Sequence, residues 1–237
     1  MKHVKENIIS ALSLVEREGI KKLVSWLHNG SDYFTAPSST QFHSNYEGGL
    51  AKHSWNVFDL LVKKNEEFQL MYPHDTLTIC GLLHDLCKVG YYKLVCEDPT
   101  DAQMKYLNTL TKGKKLPSVS GKMHKDYVSK LINYYKNGGE EPEYTEGSYV
   151  VDDVFPVGHG EKSVFMIQQF IKLYDEEIAA IRWHMIAFDA GVHFNYPSGF
   201  PFRQSLEKYP LATVLFTADF EASNILERKD YEKNRPT

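Results

Sequence analysis

Apolar residues recur at three- and four-residue intervals through most of this chain, a spacing that predicts amphipathic helices. Positions 4–17 and 20–28 read as two helices, broken at Gly19 and ended by Asn29-Gly30. A loop rich in Ser, Pro, Gly and aromatic residues spans 31–49. It leads to a helix with Leu50, Val57, Leu60 and Leu61 on one face, and a second helix follows Pro73-His74-Asp75. β-Branched and aromatic residues cluster at 91–95 and 147–155, which predicts two short pairing strands with one helix, about 122–135, between them. Further helices are expected at about 161–173, 176–187 and 211–226, the last two separated by Tyr196-Pro197-Ser198-Gly199-Phe200-Pro201. The whole pattern predicts an all-α fold. Capping helices occupy 1–30, a helical bundle with a small β-hairpin insertion at about 91–155 occupies 31–227, and 228–237 form a charged, flexible tail.

Ionisable residues interrupt this apolar order at a few places. His84 and Asp85 sit in Gly81-Leu82-Leu83-His84-Asp85-Leu86-Cys87-Lys88, which otherwise reads as buried helix. On a helix His84 shares its face with Leu77, Cys80 and Cys87, and Lys88 stands within one turn of the pair. His53 falls in line with Leu50, Val57, Leu60 and Leu61. Asp219 falls in line with Ala212, Leu215, Phe216 and Ala222, and His184 with Ala180, Ile181 and Phe188. Buried ionisable groups are costly unless they are paired or bound to metal. A divalent metal with nitrogen and oxygen ligands accounts for these placements together, because it neutralises the carboxylates and satisfies the imidazoles at once.

In the order His53, His84-Asp85, Asp219, the chain resembles the HD-domain metal-dependent phosphohydrolases. The approach to the first histidine, Phe42-His43-Ser44-Asn45-Tyr46-Glu47-Gly48-Gly49-Leu50-Ala51-Lys52-His53-Ser54, is similar to that of members related to 3′-to-5′ exoribonucleases. Gly158-His159-Gly160-Glu161-Lys162-Ser163 and Ile181-Arg182-Trp183-His184-Met185 are similar to segments that supply further histidines in two-metal members. The resemblance covers about residues 36–226 and implies an HD-domain-like bundle. It implies that His53, His84, Asp85 and Asp219 hold one divalent ion, and that Asp85 bridges to a second ion held by His159 and His184.

The implied reaction is hydrolysis of a phosphoester or phosphoanhydride bond of a nucleotide, with Asp85 and Lys88 in catalytic roles. A 3′-to-5′ exonuclease acting on short RNA or DNA and a non-catalytic nucleotide sensor are the alternatives. Mixed His and carboxylate ligation leaves positions for water and phosphate oxygens, and the metal can be Mn, Fe, Co, Ni, Zn or Mg. Lys88 is placed to meet a phosphate oxygen or to orient Asp85. His43 and Tyr46 can stack on a base or anchor their loop, and Ser163 beside His159 is expected at the substrate. His159, flanked by two glycines at a helix start, can instead meet phosphate through nearby backbone amides, and Glu161 can simply complement the helix dipole.

Composition narrows the classes further. A net charge of −4 disfavours a protein that coats nucleic acid and favours a nucleotide over a polymer. Three cysteines, an odd number, suggest a reducing compartment rather than a disulfide framework. No apolar run is long enough to span a membrane and no signal-peptide pattern follows Met1, so the chain reads as cytoplasmic. Cys80, His84 and Cys87 share a helical face, yet a closed zinc site needs four ligands and no second cysteine pair completes one. Packing is therefore expected for both thiols. The stretch 105–136 carries eight lysines against one acid, Asp126; a solvated surface and a phosphate-steering lid explain it equally.

Overall fold

The computed structural model describes residues 2–40, 44–112, 116–119, 121–185 and 199–228. In chain order they form α1 (Lys2–Ser13), α2 (Ile20–Asn29), α3 (Gly49–Glu67), α4 (His74–Leu83) and β1 (Tyr92–Val95). There follow α5 (Asp101–Thr111), α6 (Lys125–Asn137), β2 (Ser148–Val151), α7 (His159–Gln168), α8 (Asp175–Trp183), α9 (Gly199–Lys208) and α10 (Pro210–Glu221). A 3₁₀ turn, Leu86–Lys88, follows α4, and a π-helical turn, Ala222–Leu226, follows α10. The fold is all-α with one small two-stranded antiparallel sheet, β1 against β2. The contacts divide the chain into two units, 1–92 with 152–237, and 93–151.

The larger unit is built on α4, whose residues from Thr76 to Leu83 are all buried. It packs against α1, α3 and α8, while α10 lies on α3 and α8 and α7 on α8. Leu50, Val57 and Leu61 of α3, Ile79, Leu82 and Leu83 of α4, Ile181 of α8, and Leu211 and Leu215 of α10 share one core. Each such side chain contributes about 1.5–3 kcal/mol relative to leaving it in water. Among the described residues no helix is long and apolar enough to cross a membrane.

Several helix ends differ from the periodicity. The first helix stops at Ser13 rather than continuing to 17, and Arg17 meets the fully buried Glu177 of α8 at 2.8 Å. Glu177 also accepts hydrogen bonds from the Thr76 hydroxyl and the Tyr174 N–H, both at 2.8 Å. A buried carboxylate needs its cation and its donors, and that need outweighs one more helical turn. Helix α9 begins at Gly199 and runs through Pro201, which the sequence reads as a separator. Proline in a first turn removes an N–H that has no helical partner, so the helix tolerates it.

The second unit, 93–151, has a small core of its own: Leu107 from α5 with Tyr127, Val128 and Leu131 from α6. The sequence predicts one helix in this stretch, and its described residues form two. Helix α5 starts at a capping box in which the Thr100 side chain accepts from the Gln103 N–H and Gln103 reaches back to the Thr100 N–H.

Candidate metal centre

Two glycines let four histidines meet. A Cβ on Gly81 would lie 2.7 Å from Phe58 Cα, so α4 and α3 approach more closely here than any larger residue allows. A Cβ on Gly160 would lie 2.3 Å from the Arg182 carbonyl oxygen, which fixes the same close approach between the start of α7 and the end of α8. The first contact brings His84 to His53, with ring centroids 5.3 Å apart. The second brings His159 to His184 at 5.6 Å, and His184 stacks edge-on to His84 at 5.0 Å.

Three of these imidazoles are anchored in the same way. His84 Nδ1–H donates to the Gly81 carbonyl at 3.0 Å and His184 Nδ1–H to the Ile181 carbonyl at 2.6 Å, each three residues back at a helix end. His53 Nδ1–H donates to Glu227 Oε1 at 3.0 Å. A ring held through Nδ1 presents Nε2, and that is the arrangement outer-shell acceptors impose on metal-binding histidines.

The presented atoms converge on two carboxylates. His53 Nε2 lies 3.3 Å from His84 Nε2, 3.4 Å from Asp85 Oδ2 and 3.1 Å from Asp219 Oδ1. His84 Nε2 lies 3.5 Å from Asp85 Oδ2. On the other side of Asp85, Oδ1 is 2.8 Å from His159 Nε2 and 3.5 Å from His184 Nε2. His159 Nε2 is also 3.2 Å from Cys87 Sγ. Atoms about 2.0–2.3 Å from one shared ion stand about 3–3.7 Å from each other, so these spacings suit a metal.

The turn that carries Asp85 departs from the helix the periodicity suggests. Helix α4 ends at Leu83, Asp85 adopts φ −100 and ψ 22, and residues 86–88 tighten into the 3₁₀ turn. This folds Lys88 back so that its Nζ meets Asp85 Oδ2 at 2.6 Å, with Ser38 Oγ at 3.3 Å. Ser163 is fully buried and accepts the Cys87 N–H at 3.0 Å. Ser163, which the sequence reading expects at the substrate, supports this turn through that bond.

Electrostatics follow from burial and pairing. Burial opposes a charge on His53, yet the Glu227 and Asp219 carboxylates push its pKa up to about 10. Burial lowers His84 to about 4. Asp85 is also disfavoured as an anion by burial, but the Lys88 ammonium and His84 hold its carboxyl well below the usual range. Burial lowers His159 and pushes the Cys87 thiol up.

The donor set fits a divalent cation. Around His53 stand the carboxylates Asp85, Asp219 and Glu227, and the Lys88 ammonium pairs with Asp85. A divalent ion bound at Nε2 would take the place of the proton that these carboxylates favour on His53. His184 Nε2 is buried and makes no hydrogen bond; at 3.5 Å it feels the Asp85 charge without an aligned contact. A ligand to a cation satisfies that nitrogen. The groups His53–His84–Asp85, His84–His184–Asp219 and Asp85–Cys87–His159 each bring their ligand atoms within 4.8 Å.

Of the residues singled out from the sequence, His53, His84, Asp85, His159, His184, Asp219 and Lys88 therefore come together. His159 and Asp219 reach solvent, at 28% and 15% side-chain exposure. Tyr46 is exposed on the loop before α3, and His43 lies outside the described residues. Glu227, which the sequence reading leaves at the edge of the tail, is buried and also accepts from Ser44 Oγ at 2.7 Å and Asn56 Nδ2 at 3.0 Å. No family model matches the chain, and no curated protein or solved structure matches it either.

Proposed function

We propose that this chain is a metal-dependent phosphohydrolase of the HD-domain type that acts on a nucleotide. One arrangement carries the reading: three imidazoles, each anchored through Nδ1, present Nε2 to the same pair of carboxylates in a buried cluster where Asp219 and His159 reach solvent. His53, His84, Asp85 and Asp219 would hold one ion, and Asp85 would reach a second with His159 and His184. When bound, divalent ions supply Lewis acidity and activate water for attack on phosphorus.

The chain's own residues prepare that chemistry. Lys88 and the Ser163-supported turn fix the Asp85 carboxylate so that its two oxygens face opposite sides of the cluster. Glu227 fixes the His53 ring from behind, so Nε2 needs no reorganisation to bind. In these contacts Lys88 acts through Asp85 and is a positioning residue. The net charge of −4 favours a small phosphorylated substrate over a long polyanion.

The decisive measurement is phosphate release from a panel of nucleotides and short oligonucleotides after metal-free protein is reloaded with each candidate metal. Metal-dependent release from a nucleotide, abolished by a chelator and restored by the ion, is expected. Turnover confined to oligonucleotide ends would replace the reading with an exonuclease. Bound metal with no turnover anywhere in the panel would replace it with a binding protein.

A further inference from the structure

Cys87 is the one group in this cluster that imidazole–carboxylate ligation leaves without a part. Its side chain is buried, and its backbone is pinned by the bond from its N–H to Ser163 Oγ. Ser163 lies one helical turn after His159 on α7, so the contact that holds Cys87 in place also aims its thiol at the His159 ring. The outcome is Sγ at 3.2 Å from His159 Nε2, the same nitrogen that Asp85 Oδ1 approaches at 2.8 Å.

His159 Nε2 cannot serve both of its neighbours at once. His159 Nε2 carries either one hydrogen or one lone pair. If it donates to Asp85, the thiol hydrogen finds no acceptor on that nitrogen. If it accepts from the thiol, it has nothing to offer the carboxylate. Beside them His184 Nε2 is buried with no hydrogen bond at all, 3.5 Å from the same Asp85 oxygen. A carboxylate oxygen, an imidazole nitrogen and a sulfur within 4.8 Å of one another, with the His184 nitrogen 3.5 Å from the same carboxylate oxygen, make a ligand set.

We propose that Cys87 is a thiolate ligand of the second metal position, beside Asp85, His159 and His184. The proposal rests on the metal-centre reading above and adds a sulfur to it. Binding replaces the S–H bond with a sulfur–metal bond, and the proton leaves to solvent. Sulfur shifts the preference of this position toward zinc, iron(II), cobalt or nickel and away from magnesium and manganese, whereas the His53 position, with nitrogen and oxygen only, accepts harder ions. The two positions then differ in selectivity within one cluster.

Cobalt(II) reports the bond directly, because a thiolate on cobalt gives a near-ultraviolet charge-transfer band that nitrogen and oxygen ligands do not. Full-length, metal-free protein titrated with cobalt(II) should develop this band. Cys80→Ser and Cys96→Ser should keep it, and Cys87→Ser should lose it. X-ray absorption at the zinc edge of the zinc-loaded wild-type protein needs no variant and should show a sulfur scatterer. Bound cobalt without the band, a band that survives in Cys87→Ser, or a zinc shell of nitrogen and oxygen alone overturns the thiolate and leaves the metal centre standing. Failure of the wild-type protein to bind cobalt or zinc at all overturns the metal centre as well.

Discussion

The two units handle charge in opposite ways. In the unit of 93–151 two lysines pair on the surface: Lys122 with Asp98 at 2.7 Å, side chains 71% and 67% exposed, and Lys125 with Glu97 at 2.8 Å. Exposed pairs of this kind are screened by water and contribute little. In the larger unit Asp85, Lys88, His53, His84 and Glu227 are all buried, and each lies within 3.5 Å of another of them. Burying so many ionisable groups is costly, and each depends on its neighbours. A fold that needed only stability would fill that space with hydrophobic residues, as 93–151 does with Leu107, Tyr127, Val128 and Leu131. Buried charge is therefore where chemistry is to be sought, and the described lysines of 105–136 are exposed.

Asp85→Asn should break this contrast most severely. The variant removes a ligand from both proposed metal positions, so bound metal and phosphate release should both fall to background. It also leaves the Lys88 ammonium buried beside a neutral amide, at a cost of about 3–5 kcal/mol in stability. Metal analysis and denaturant unfolding of the same preparation measure both effects. A variant that kept its metal and its midpoint would show that the buried network is no more interdependent than the surface pairs.

Leu131→Ala should act on the other side of the comparison. Leu131 is fully buried in a core cluster of four buried side chains, and its truncation should cost about 2–5 kcal/mol. Hydrogen exchange should accelerate across α5 and α6 while α3 and α4 keep their protection and metal content stays the same. Equal acceleration in α3 and α4 would mean that the two units unfold as one.

Periodicity alone could locate His53 and Asp219, because both sit within regular helices, α3 and α10, among apolar neighbours. It could mark His84 and His184 as inward-facing but not explain how they are held. Both stand just past a helix end, His84 after α4 and His184 after α8, with Nδ1 on a carbonyl three residues back. Packing is the expectation for Cys87 because a closed zinc site lacks its remaining ligands in the sequence; the 3₁₀ turn, which the helical pattern does not show, aims the thiol at His159. Glu227 lay beyond the last periodic residue. The π turn inserts an extra residue before it, with the Glu227 N–H bonded to the Ala222 carbonyl at 3.0 Å, and changes the phase on which any helical projection relies. Helix α5 carried a legible signal in Thr100-Asp101-Ala102-Gln103, but its apolar positions are too sparse to register as a face. Arg17 and Glu177, distant in sequence, had no local sign of their pairing.

Glu227→Gln should give the smallest effect and the finest test, because it alters the buried network one bond away from the metal ligands. Glutamine keeps the length of the side chain, and its carbonyl oxygen can still accept from His53 Nδ1–H. The second oxygen becomes an amide group that cannot accept from the Ser44 hydroxyl, and the negative charge behind the His53 ring is lost. A histidine whose outer partner is weakened binds metal about 10–100-fold less tightly, so competition with a chelator should show a drop of that size at the His53 position. The second position shares only Asp85 with it and should change less. Turnover at saturating metal should recover most of the wild-type value, since Glu227 touches neither substrate nor the presented Nε2 atoms. Unchanged affinity would reduce Glu227 to a clamp between α3 and the C-terminal π turn. Equal weakening of both positions would mean that the two sides of Asp85 are a single site.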